Sequence, residues 1–95
     1  MAERKLYLSP AFGRKVKKLR KQEKQELDRA VLAILKDPGI GEEKRGDLSG
    51  VFVHKFTINK QLTLLSYTYT ESEINLLTFG SHENFYREVK NYRKA

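Results

Sequence analysis

The sequence has 95 residues and a mass of 11.1 kDa, enough for one small domain and too little for a second catalytic domain or a dinucleotide-binding sheet. Its 19 Lys+Arg outnumber 12 Asp+Glu, giving a formal net charge of +7, and it has no cysteine, so disulfides, thiolate metal sites and a Cys nucleophile are excluded. A patterned 39% apolar share argues against disorder, and the charge points to a polyanion or an acidic protein as partner.

Lys5 to Leu8 reads as a short strand. Ser9-Pro10 then supplies a helix start, with Ser as N-cap and Pro at the first helical position. The helix is predicted to run to about Gln22, with Phe12, Val16 and Leu19 on one face. Its basic run is Arg14, Lys15, Lys17, Lys18, Arg20 and Lys21. A turn near Glu23 to Gln25 leads to a second helix carrying Leu27, Val31, Ile34 and Leu35, which stops at Asp37-Pro38-Gly39. A loop with glycines at 39, 41, 46 and 50 follows.

The second half reads as strands: Val51 to Ile58, a turn at Asn59-Lys60, Leu62 to Thr70, then Ile74 to Phe79. Gly80 breaks the pattern. Ser81 can cap a terminal helix whose apolar stripe is Phe85, Val89 and Tyr92. The fold class is therefore α+β, in the order β-α-α-β-β-β-α. Residues 1–95 make a single domain in which a helical hairpin covers one face of a small antiparallel sheet. The longest apolar run, Ala30 to Leu35, is far short of the ~20 residues that span a bilayer. Met1 to Ser9 has no apolar stretch of signal-peptide length, so a cytoplasmic protein is expected.

Charge is uneven. Up to Leu48 there are thirteen basic and eight acidic residues; from Ser49 onward there are six and four. Two histidines, His54 and His82, without cysteine or a clustered acid pair make a poor metal site, and no cofactor is expected. RNA can nevertheless be cut without a metal, because its own 2′-OH is the nucleophile. The protein then needs a base for the 2′ proton, cations for the phosphorane charge and an acid for the departing 5′-oxygen. His, Lys, Arg and Tyr suffice for these roles.

Strand alternation places Phe52, His54, Phe56 and Ile58 on one face, read as the core face, and Val51, Val53, Lys55 and Thr57 on the other. His54 is then either a core histidine or a catalytic one, and Lys55 either a solvated lysine or a catalytic cation. The stretch Gly80-Ser81-His82-Glu83-Asn84-Phe85-Tyr86-Arg87 puts His82 and Tyr86 four residues apart on one side of a helix. His82 either caps that helix or acts in chemistry; Tyr86 either packs or meets substrate.

On these residues the chain resembles the RelE/ParE superfamily of bacterial type II toxin–antitoxin toxins. The likeness covers the element order, the helix Phe12-Gly-Arg-Lys-Val-Lys-Lys-Leu19, the loop Lys44-Arg45-Gly46-Asp47-Leu48-Ser49-Gly50, the strand segment Leu64-Leu-Ser-Tyr67 and the ending Gly80-Ser-His-Glu-Asn-Phe-Tyr86. The ending is similar to that of YafQ-type ribonucleases. The resemblance implies an mRNA endoribonuclease that works on the ribosome without a metal and is neutralised by a cognate antitoxin protein. It implies His82 as catalytic histidine, Tyr86 as the nearby aromatic, Lys55 or His54 as the strand group and Arg87 as a phosphate contact. Lys44 and Arg45 in the loop, Lys60 at the turn, and Lys17 and Lys18 on the first helix become candidate RNA contacts. The chain departs from RelE in having Val53 where a second strand lysine stands, and Gln61, Thr63 and Ser66 with no arginine on the next strand. Two other readings remain open at this point: a ParE-like inhibitor of DNA gyrase that needs no His82, and a partner-binding or nucleic-acid-binding module without activity.

Overall fold

The computed structural model describes residues 4–44, 46 and 49–81. Among the described residues five strands form one sheet: β1 (Lys5–Leu8), β2 (Glu42–Glu43), β3 (Phe52–Ile58), β4 (Gln61–Tyr69) and β5 (Glu73–Gly80), in the spatial order β1-β5-β4-β3-β2. Two helices, α1 (Pro10–Lys17) and α2 (Lys21–Lys36), pack on one face, so the expected helical hairpin over a sheet is present. The predicted terminal helix, with Phe85, Val89 and Tyr92, lies outside the described residues.

Local chemistry explains the helix starts. Ser9 caps α1 as expected: its Oγ accepts from the Phe12 amide at 3.0 Å, and Pro10 follows. The first helix ends five residues earlier than its apolar spacing suggests. The Lys18 amide turns back to the Lys15 carbonyl and the Leu19 amide to the Val16 carbonyl, and Glu23 Oε1 accepts from the Arg20 amide at 2.9 Å. Glu23 therefore opens α2 instead of lying in a turn, because an acidic side chain three residues into a helix satisfies an otherwise orphaned amide and favours the positive helix end.

The sheet is mixed, not purely antiparallel. β1 runs parallel to β5 in the register Lys5↔Glu73 to Leu8↔Leu76, while the other pairs are antiparallel. The two-residue strand β2 was not expected; Glu42 and Glu43 carry no strand pattern and are recruited by pairing with Val53 and Phe52. Asn59 (φ 52°) and Lys60 (φ 66°) form the tight β3–β4 turn, consistent with the left-handed conformation that two-residue hairpins need.

Between sheet and helices lies the main core, with Phe12, Leu27, Ile34, Leu65, Tyr67, Ile74, Leu76 and Phe79 at most 5% exposed. Tyr67 is buried with both hydrogen-bonding roles of its phenol used. It donates to the Pro38 carbonyl and accepts from the Gly41 amide at 3.0 Å, tying the end of α2 to the sheet. Burial holds this phenol above its ordinary range. A Cβ at position 41 would stand 2.5 Å from the Tyr67 hydroxyl oxygen, so only glycine admits the contact. A second, smaller cluster of Val51, Val53, Leu64 and Leu77 is buried on the other face of the sheet. That face, on which alternation places Val51 and Val53 beside Lys55 and Thr57, thus has a buried apolar patch of its own.

Candidate functional site

The face away from the helices is assembled in rows across the strands. Lys55 pairs with Leu64, and Leu64 pairs with Gly80, so these three residues stand side by side on β3, β4 and β5. Directly paired residues point to the same face, and two strand spacings separate Lys55 from Gly80 by about 9–10 Å. The next row is Val53, Ser66 and Thr78. There Ser66 Oγ accepts from the Thr78 amide at 3.2 Å and lies 3.3 Å from its carbonyl, so the buried hydroxyl is satisfied. Ser66 and Tyr67 are paired with Thr78 and Leu76, which leaves Leu77 as an extra residue on β5. This bulge turns Leu77 into the second cluster and returns Phe79 to the main core.

Lys55 is exposed. Beside it Thr57 and Leu62 are also exposed, Leu62 at 54%. Its neighbours Val53 and Leu64 are buried, so a cation rises from an apolar floor. Among the described residues no hydrogen bond or ion pair engages the Lys55 ammonium.

His54 and Lys55 are adjacent, and the strand sends them to opposite faces. His54 lies in a groove between β3 and α2 lined by Glu26, Arg29, Ala30, Ala33, Phe56 and Thr57. Its ring stacks on Phe56, with centroids 6.0 Å apart and planes 10° apart. The structure thus separates the two candidate strand groups. Burial lowers its pKa from the ordinary value. The unfolded chain therefore takes the proton first as the pH falls. Stability from this site is complete above about pH 6.5 and is lost progressively as the pH drops from there through the folded value. We expect the thermal midpoint to fall between about pH 7 and pH 5 and His54→Gln to flatten that fall; an identical slope in the variant would show that His54 is not the titrating group.

The cations expected to meet RNA fall into two places. Lys60 sits in the β3–β4 turn, at the end of the sheet where β5 also finishes. α1 runs alongside β5 toward that end, with Lys15 Nζ 2.7 Å from the Phe79 carbonyl oxygen, so exposed Lys17 and Lys18 lie beyond it. Arg20 lines a shallow groove of about 300 Å³ with Gln22, Glu23, Glu26 and Asn59. Both acids there accept from backbone amides: Glu23 from Arg20 at 2.9 Å, and Glu26 from Asn59 at 2.7 Å. Lys44 lies at the other end of the sheet, with its amide on the Val51 carbonyl and its ammonium 3.4 Å from Glu42. His82, Tyr86, Arg87 and Arg45 lie outside the described residues. Sequence reasoning did not anticipate Lys15 at the end of β5, because nothing in the spacing of a helix names the strand carbonyl it will meet. Among the described residues no three His, Asp or Glu side chains gather as a metal site, and no helix is long and apolar enough to cross a membrane.

A helical hairpin on one face of a five-stranded sheet is the fold that the resemblance to RelE/ParE toxins implied. The fold is similar to a mutant of the E. coli toxin RelE in the free state, with a TM-score of 0.74 at 18% identity over 97% of this chain and 98% of that one. It is also similar to YoeB from Staphylococcus aureus, solved as a dimer, with a TM-score of 0.66 at 21% identity over 85% of this chain and 99% of that one. A chain of the intact E. coli RelBE toxin–antitoxin complex matches with a TM-score of 0.66 at 15% identity, over 82% of this chain and 95% of that one. Comparison with curated proteins finds no match. The family model for the ParE-like toxin of type II bacterial toxin–antitoxin systems matches residues 6–90, and the chain belongs to that family.

Proposed function

We propose that this toxin is a metal-independent endoribonuclease that cuts mRNA on the ribosome and so stops translation. The observation that carries the reading is the row Lys55–Leu64–Gly80. It places one exposed ammonium on the face away from the helices, abreast of the strand end that leads to His82 two residues later. In the proposed reaction the 2′-oxygen attacks the adjacent phosphorus, the 2′ proton passes to a base, and the bond to the 5′-oxygen breaks as that oxygen takes up a proton. The products are a 2′,3′-cyclic phosphate and a 5′-hydroxyl. Lys55 neutralises the charge that grows on the phosphorane oxygens. His82 serves as general acid or base, Tyr86 stacks on or orients a base, and Arg87 contacts phosphate. Lys17, Lys18 and Lys60 hold the polyanion by charge, which makes binding salt-dependent; Lys44 and Arg45 are further candidate contacts.

The proposed protein partner is an antitoxin. RelBE, whose chain shares this fold, is a toxin–antitoxin complex. An acidic segment folding over a chain of net charge +7 is electrostatically favourable.

The test uses purified protein, ribosomes and a defined mRNA, with cut sites mapped by primer extension. The wild-type protein is expected to cut and His82→Ala to lose the cuts. Full activity in that variant would remove His82 from the mechanism. Intact mRNA together with inhibited DNA supercoiling would favour the gyrase reading.

A further inference from the structure

Resting on the nuclease reading above, we infer that Lys15 of α1 is a positioning residue that clamps the end of β5 for catalysis. β1 accompanies β5 only as far as Leu76. Beyond that point the edge of β5 would face outward with its carbonyls unpaired, and α1 takes over. The Ser9 amide donates to the Leu76 carbonyl at 3.0 Å, and Ser9 Oγ donates to the Leu77 carbonyl. Two successive carbonyls can face one edge because the bulge falls at Leu77.

The third bond is made by Lys15 Nζ, which donates to the Phe79 carbonyl at 2.7 Å. Helix and strand geometry make this reach natural. Six residues of helix from Ser9 rise ~9 Å, two residues of strand from Leu77 advance ~7 Å, and the flexible lysine stem absorbs the difference. The same ammonium lies 5.8 Å from the centre of the Phe79 ring, which meets Phe12 edge to face at 4.9 Å. A Cβ at position 80 would stand 3.3 Å from Nζ, so glycine at Gly80 leaves room for the clamp.

Peptide 79–80 is thereby held from both edges, by Lys15 on one side and by pairing of Gly80 with Leu64 on the other. It is the last peptide before the chain leaves the sheet toward Ser81 and His82, and it is in register with Lys55. A charge-assisted bond to a carbonyl is among the stronger ways to fix such a strand end. Its contribution to the reaction is geometric, since a small displacement of an acid or base from its productive position costs rate steeply.

The test compares the wild-type protein with Lys15→Met, Lys15→Arg and Val16→Ala in single-turnover mRNA cleavage on ribosomes. Amide hydrogen exchange at Gly80 and Ser81 is measured on the same proteins. Lys15→Met is expected to lower kcat ~10–100-fold with KM unchanged and to speed exchange at the two amides at least tenfold. Lys15→Arg, which can still donate, should recover most of both. Val16→Ala thins the packing of the same helix against the core while leaving the Lys15 ammonium in place, and should keep the wild-type kcat. Unchanged kcat or unchanged exchange in Lys15→Met overturns the clamp, as does an equal loss of kcat in Val16→Ala. If the wild-type protein itself makes no cuts, the nuclease reading falls, a result distinct from any of these.

Discussion

Replacing Lys55 with methionine is expected to reduce mRNA cleavage by about 10²–10³-fold, the loss usual when one preorganised charge aimed at a developing oxyanion is removed. The fold should survive. Lys55 is exposed, and its backbone pairing with Leu64 does not depend on the side chain. Methionine keeps an apolar stem of similar length over the buried floor of Val53 and Leu64 while deleting the charge. Lys55→Arg should recover part of the rate, because a guanidinium also neutralises phosphate although its fork is differently shaped. Cleavage rates on programmed ribosomes, read beside thermal midpoints, check this. Equal rates for the wild type and Lys55→Met would remove the lysine from the chemistry.

The largest stability effect is expected at Phe12. Its side chain is 1% exposed and meets Phe79 edge to face at 4.9 Å, so it is the most deeply buried apolar contact of α1 with the sheet. Phe12→Ala removes a large buried ring and leaves a cavity, at a cost of about 3–5 kcal/mol. For a domain of this size that is a fall of roughly 15–30 °C in thermal midpoint. Leu32 is of comparable apolar character but 56% exposed on α2, and Leu32→Ala should move the midpoint by no more than a few degrees. Thermal melts of the three proteins decide it. A small shift for Phe12→Ala would mean that α1 is anchored mainly through Ser9 and Lys15.

Much of the scaffold was legible because short-range chemistry specifies it. Ser9-Pro10 announces the start of α1, Asn59-Lys60 announces the hairpin, and alternation along β3 correctly sends His54 toward α2 and Lys55 away from it. What was not legible depends on partners distant in the chain. The break at Lys18–Arg20 contains neither Gly nor Pro and rests on Glu23 satisfying one amide. β2 is a strand only because Val53 and Phe52 pair with it. The parallel placement of β1 and the bulge at Leu77 arise from sheet assembly, and neither leaves a mark on local periodicity.

The candidate site follows the same division. Lys55 was visible as a residue type on a strand face, but its alignment with Leu64 and Gly80 comes from register across three strands. The functional weight of the net charge of +7 is likewise spatial. Lys15 of α1 reaches the end of β5, more than sixty residues away in sequence, while the acids Glu23 and Glu26 accept from backbone amides.

One measurement bears most directly on the central claim that the Lys55 face cuts RNA. The wild-type protein and Lys55→Met are expressed briefly in bacteria, mRNA ends are mapped by primer extension, and plasmid supercoiling is measured in the same cultures. Discrete cuts within translated codons and growth arrest are expected for the wild type, neither for Lys55→Met, and unchanged supercoiling in both. Growth arrest with intact mRNA, or cuts that persist undiminished in Lys55→Met, would contradict it.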